Sequence, residues 1–162
     1  MNRHEREVTQ QDRLMEIMDN CVLCRLAMHD DDGGVYIVPI NFGYELLEDD
    51  NIRLWFHGAP HGKKLSLLAA NPKVGFEMDS NIQLIESPSI CSYSYTYMSL
   101  VGKGTAKILA DDDYDGKRRA LKHVIFRQAH IEIKDDDLPD HKLEKVKAFY
   151  VDVEEITGKE RM

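Results

Sequence analysis

Leu14, Ile17, Met18 and Cys21 recur at helical spacing behind Thr9-Gln10-Gln11-Asp12, a stretch that resembles a capping box, and predict one short amphipathic helix over about residues 9–20. The pattern then turns strand-like. Val22 to Met28 is followed by the turn signal Asp30-Asp31-Asp32-Gly33-Gly34, and Val35 to Tyr44 by a second turn at Glu48 to Asn51. With Ile52 to His57 these runs read as a three-stranded antiparallel meander. Pro39 cannot donate to a ladder, so its position should face an edge, a bulge or a ligand. A helix is expected from Gly62 to Ala70, stopped by Asn71-Pro72. Lys73 to Met78 continues as strand, residues 81–91 read as an irregular excursion, and Tyr95 to Leu109 as a strand pair or bent strand with Gly102 and Gly104 at the bends. A second helix should start at Asp111, with Ala120, Leu121, Val124, Ile125 and Gln128 facing a core and Lys117, Arg118 and Lys122 facing water. Residues 132–145 are polar and predict a loop with a helical turn, and Lys147 to Glu154 alternates as a closing strand. About six strands with peripheral helices predict a mainly β protein, a small antiparallel barrel whose closure removes exposed edges.

Composition narrows the function. A chain of 162 residues with 43% hydrophobic and 31% charged content fits one soluble globular domain over residues 1–162. No run of 18 apolar residues is present, and the charged start lacks an export-signal core, so no membrane span is expected and the cytoplasm is the default. A net charge of −8 argues against nonspecific nucleic-acid binding. A phosphate ligand would therefore need a local basic pocket. Lys63 and Lys64 are the best candidates: they open the second helix, where unpaired N–H groups and the helix dipole disfavour cations, so they read either as an anion site or as solvated surface lysines tolerating a small penalty. Cys21-x-x-Cys24 and His57-x-x-x-His61 hint at a metal, but 32 residues separate Cys24 from His57, far beyond finger spacing. The cysteines read as small buried hydrophobes, and no metal is expected.

Several segments, in order, resemble the flavin-binding split barrels related to pyridoxamine 5′-phosphate oxidase, and more closely the 5-nitroimidazole-resistance (Nim) proteins. They are Val38-Pro39-Ile40-Asn41-Phe42, Phe56-His57-Gly58-Ala59 with Gly62-Lys63-Lys64, Asn71 to Phe76, Tyr97 to Gly104, and Ile156-Thr157-Gly158-Lys159. The resemblance spans roughly residues 14 to 160. It implies a six-stranded antiparallel split barrel that binds FMN, with FAD as an alternative, in a cleft between the subunits of a homodimer. By the same resemblance Val38, Pro39, Ile40 and Asn41 would line the isoalloxazine. Phe56, His57, Gly58 and Ala59 would sit beside the ring and ribityl chain, Lys63 and Lys64 would hold the phosphate, and Tyr97 and Ser99 would come from the later strand. The Nim proteins usually carry arginine where this chain has Met98, which removes one bidentate contact.

His57 is the candidate catalytic residue, because an imidazole at a flavin cleft can hydrogen-bond and relay a proton near neutral pH. Trp55 shares its strand face and is expected to pack in the core or against a second subunit. Tyr93, Tyr95 and Tyr97 alternate on one face, as an aromatic wall or a dimer surface. Two functions follow. One is a flavin-dependent reductase that passes electrons from a reduced nicotinamide to a nitroaromatic or other small acceptor. The other is a flavin carrier or sensor without turnover, favoured by the lack of a G-x-G-x-x-G after any strand.

Overall fold

Alternation dictates the strands. In Cys24–His29 every second residue is buried, and the same two-residue period runs through Ser94–Ile108, so each strand turns one face to a core. The computed structural model describes residues 4–162, and Met1, Asn2 and Arg3 of the charged start lie outside them. The strands are β1 (Glu7–Val8), β2 (Cys24–His29), β3 (Val35–Ile40), β4 (Gly43–Leu46), β5 (Ile52–Gly58), β6 (Lys73–Ile85), β7 (Ser94–Ile108) and β8 (Lys147–Arg161). The α-helices are α1 (Gln11–Asn20), α2 (Lys63–Ala70), α3 (Tyr114–Ala129) and the single turn α4 (Asp140–Leu143).

All pairings are antiparallel, in the order β3-β2-β6-β7-β8-β5-β4, with β1 added to β8. The two ends of this order, β3 and β4, are consecutive in the chain. Asn41 and Phe42 join them, so the curled sheet is closed there by covalent chain instead of a ladder, which makes a split barrel. Among the described residues eight strands form where six were expected. The additional two are β1 and the second half of the run from Val35 to Tyr44. That run breaks because the Phe42 side chain dives fully into the core between two segments that pair with different partners. The expected meander is therefore corrected: β3 pairs with β2, and β4 pairs with β5 at the other end of the order. Pro39 duly lies on an edge strand.

Inside the barrel, Leu26, Met28, Leu54, Phe56, Phe76, Met78 and Leu100 pack together. The rings of Phe56 and Phe149 stack with centroids 4.9 Å apart and planes 13° apart. Leu14, Ile17 and Met18 of α1 and Leu67 and Leu68 of α2 add to the same core. Helix α3 covers the opposite face of β5 and β8 through a second cluster of Trp55, Leu109, Ala120, Val124, Ala148 and Tyr150. Trp55 Nε1–H donates to Glu45 Oε2 at 3.0 Å, so packing in the core is its role. At Gly104 the β7–β8 register shifts, and a Cβ there would stand 2.3 Å from the Asp152 carbonyl oxygen. Only glycine lets the two backbones approach at this bend.

Local signals misled at several places. Helix α1 starts at Gln11 with Gln10 as an N-cap that makes no side-chain bond, so Thr9 is not its cap. Strand β6 runs through the expected excursion as far as Ile85, because Gln83, Leu84 and Ile85 find partners in Thr96, Tyr95 and Ser94 across a bulge. Strand β8 runs on to Arg161 for the same reason, pairing along β7. Helix α3 begins at Tyr114, with Asp113 Oδ1 accepting from the Gly116 N–H at 2.9 Å. Gln128 is exposed, and Lys117, expected in water, is fully buried. Its Nζ donates to the carbonyls of Asp111 at 2.6 Å and Leu143 at 3.1 Å, tying α3 to the segment before β8. Replacing Lys117 with methionine strands both carbonyls and should lower stability by about 1–3 kcal/mol, read as a shifted urea midpoint.

Candidate functional site

The register places Gly43 opposite Trp55, so Phe56, His57 and Gly58 run past the β4 ladder into the split. Phe56 points inward and is fully buried, while His57 turns to the other face, half-buried. His57 Nδ1 is buried without a hydrogen-bond partner. Burial, with the Lys64 ammonium as a second cause, holds the His57 pKa below its ordinary value. Lys64 is itself half-buried, lies 5.4 Å from the Phe149 ring centroid, and has no carboxylate partner among the described residues. Burial lowers its pKa too. Gly58 makes room for it, since a Cβ there would sit 3.3 Å from Lys64 Nζ.

Lys64 belongs to the first turn of α2, whose N-terminus carries no acidic residue and no side-chain cap. Gly62 adopts φ 144°, a conformation that disfavours side chains, and a Cβ on it would meet nothing within 4 Å. An orphaned imidazole nitrogen, an unpaired half-buried ammonium and open backbone N–H groups thus gather at one end of the split. That donor set suits an anionic group with polar atoms beside it. Lys63 differs: its Nζ donates to Asp30 Oδ2 at 2.7 Å and lies 5.1 Å from the Tyr36 ring.

The remaining candidates spread more widely. Along β3, Val38 and Ile40 face inward, Pro39 faces out, and Asn41 is exposed in the link to β4. Ala59 and His61 are exposed beyond β5. The buried Phe56 ring offers no surface to a ligand. Tyr97 and Ser99 lie on the outward face of β7, opposite Arg161 and Lys159, whereas His57 pairs with Ala148. Tyr97 and His57 are thus separated by 13 residues of β8 (161 minus 148), and one protomer does not bring them together. Met98 is buried in the core, with Asn81 Nδ2 donating to its sulfur at 3.5 Å. Cys21 and Cys24 are buried; the Cys21 thiol donates to the Ile17 carbonyl at 3.2 Å, and burial raises its pKa to about 11.

Asp30, Tyr36 and Phe149 escaped sequence reasoning, because each reached the site through a contact distant in the chain. A more apolar groove of about 540 Å³ opens elsewhere, beside α3, between Tyr44, His123, Phe126 and Ile133. None of the expected site residues lines it. Beside it Tyr44 donates to Asp19 at 2.6 Å and Arg127 Nη2 to the carbonyls of Met18 and Cys21, while Arg127 Nε is buried without a partner.

His57 and His123 both have pKa values lowered by burial. Below an unfolded value of about 6.5 the unfolded chain binds more protons, so stability should rise with pH up to that value and be lost as pH falls beneath it. Thermal melts between pH 5 and 7.5 should show that slope, reduced in a His57→Gln, His123→Gln double variant.

Among the described residues no helix is long and apolar enough to cross a membrane. No curated protein matches the chain in sequence. Among solved structures, a candidate 5-nitroimidazole antibiotic-resistance protein from Bacteroides thetaiotaomicron is 27% identical, with a TM-score of 0.77 over 94% of this chain and 85% of that one. An FAD- and heme-binding protein from Mycobacterium smegmatis shares the fold at 22% identity, with a TM-score of 0.74 over 96% and 73%. So does an FAD-binding protein from Mesorhizobium loti at 20% identity, with a TM-score of 0.63 over 97% and 98%. The family model described as pyridoxamine 5′-phosphate oxidase matches residues 10–160. With its antiparallel split barrel and this match over nearly its whole length, the chain belongs to the pyridoxamine 5′-phosphate oxidase-like family.

Proposed function

We propose that this chain is a single-domain flavoprotein of the cytoplasm, binding FMN between the subunits of a homodimer and acting as a reductase of the nitroimidazole-resistance type. The observation that carries the reading is the half-buried Lys64, without a carboxylate partner among the described residues, beside the orphaned His57 Nδ1 and the uncapped start of α2. Lys64 and the first N–H groups of α2 would hold a phosphate, and His57 would face the polar edge of the ring system or of an acceptor. The wide separation of Tyr97 and Ser99 from His57 supports a second copy, whose β7 would supply them. Exposed apolar residues on the outer faces of β3 and β7, among them Val35, Ile37, Tyr95 and Val101, support it too.

When bound, flavin supplies the redox chemistry, accepting electrons from a reduced nicotinamide and passing them to a nitroaromatic or other small acceptor. The protein's part is binding, orientation and a proton source. His57 is neutral at pH 7 by its depressed pKa, and it can take up a proton in acid and release it to an acceptor. The neighbouring likenesses support the flavin: the M. smegmatis and M. loti proteins are FAD-binding, and the B. thetaiotaomicron protein is a resistance candidate.

The test is anaerobic. Purified protein is saturated with FMN, mixed with NADH or NADPH in a stopped-flow instrument, and then offered a panel of nitro compounds. Bleaching of the flavin followed by acceptor-dependent recovery is expected. Tight FMN binding with no bleaching by either nicotinamide would leave a carrier or sensor. Light scattering with flavin bound should give a dimer mass.

A further inference from the structure

Lys63 and Lys64 are adjacent in sequence and both open α2, yet Lys63 stands among carboxylates and Lys64 does not. Lys63 is engaged with Asp30 at 2.7 Å, on a carboxylate held in place by its turn. There Asp30 Oδ1 accepts from the Asp31 N–H at 2.8 Å, the Asp30 N–H donates to the Gly34 carbonyl at 3.0 Å, and the Asp30 carbonyl accepts from the Gly33 N–H at 3.1 Å. The Asp30 side chain is 15% exposed, so this acid is a settled part of the β2–β3 corner, and Asp31 and Asp32 add charge to the field at Lys63. Lys64 turns the other way, toward Gly58 and Phe149, and has no acid partner among the described residues. A phosphate dianion placed on Lys63 would stand among three carboxylates; placed on Lys64 it would meet none.

We propose that Asp30 sets the phosphate specificity of the site by neutralising Lys63, leaving Lys64 as the cationic contact among the described residues, with the α2 N–H groups beside it, for one phosphoryl group. This rests on the FMN reading above. Asp30 is then a specificity-determining residue outside the pocket. It holds back the affinity a second lysine would add and fixes the corner of β3 against α2.

Binding of FMN and riboflavin, followed by flavin fluorescence at low and high salt, tests the division. Lys64→Met should weaken FMN by about 10–100-fold, a loss set by one charge-assisted contact, and leave riboflavin within about threefold. Lys63→Met should move neither ligand beyond about threefold. Asp30→Asn keeps the acceptor for the Asp31 N–H and frees Lys63, so FMN should tighten about three- to tenfold with a steeper salt dependence and riboflavin unchanged. If Asp30 acts through Lys63, that gain vanishes in the Asp30→Asn, Lys63→Met double variant. Equal FMN losses for Lys63→Met and Lys64→Met would overturn the inference, as would a gain from Asp30→Asn that persists without Lys63. In both cases FMN would still outbind riboflavin and the FMN reading would survive. If wild-type protein does not prefer FMN to riboflavin, the phosphate site and the inference fall together.

Discussion

Replacing Phe56 with alanine is expected to lower the unfolding free energy by about 3–5 kcal/mol, a large part of the 5–15 kcal/mol typical of a domain. Its ring is fully buried in the barrel and stacked on Phe149, so truncation opens a cavity where the walls of two strands meet. Phe56→Leu, nearer in volume, should cost less, about 1–1.5 kcal/mol. The family resemblance puts this position beside the flavin ring, and the two roles separate cleanly in experiment. Urea denaturation of the flavin-free protein should show the loss, while FMN bound per folded molecule changes little. A variant as stable as wild type but impaired in FMN binding would move Phe56 out of the core and into the cleft.

His57→Ala should leave the fold and most flavin binding in place and slow turnover per bound flavin with a nitro acceptor by roughly 10² to 10⁴. Nitro reduction consumes protons along with electrons, and the half-buried imidazole beside Lys64 is the titratable group best set at the split. The pH dependence carries the same signature. Because burial and Lys64 hold its pKa below the ordinary value, the imidazolium accumulates only in acid, so the wild-type rate should climb as pH falls below about 6.5 while the variant stays flat. The measurement is turnover per flavin from pH 5.5 to 8, with occupancy determined separately. Equal rates for both proteins would reduce His57 to packing.

Strand identity was legible wherever alternation or a breaker governed a local choice. Asn71-Pro72 ends α2 as expected, with Asn71 Oδ1 accepting from the Lys73 N–H at 3.0 Å. Pro39 marks an edge, and Gly104 marks a bend. What stayed hidden was decided across the chain. A single apolar run from Val35 to Tyr44 gives no sign that its halves pair at opposite ends of the sheet. Lys117 reads as a solvated helix residue until Asp111 and Leu143 bring it their carbonyls. In the candidate site, the two lysines and His57 stood out by type and spacing, but sequence made the lysines equivalent. Asp30, 33 residues upstream of Lys63, makes them different.

The place of β8 in the sheet has a consequence for biosynthesis. This strand is flanked by β7 on one side and by β5 and then β1 on the other, so β5 and β7 become neighbours in the sheet through a strand made after both. Until residues 147–161 leave the ribosome, β5 and β7 each present an open hydrogen-bonding edge, and the wall that carries His57 has no neighbour on that side. The Phe56–Phe149 stack, spanning 93 positions (149 minus 56), cannot exist before then. The edges of β5 and β7 would therefore stay open in the nascent chain until β8 is made, with capture by other strand-forming chains as the competing fate.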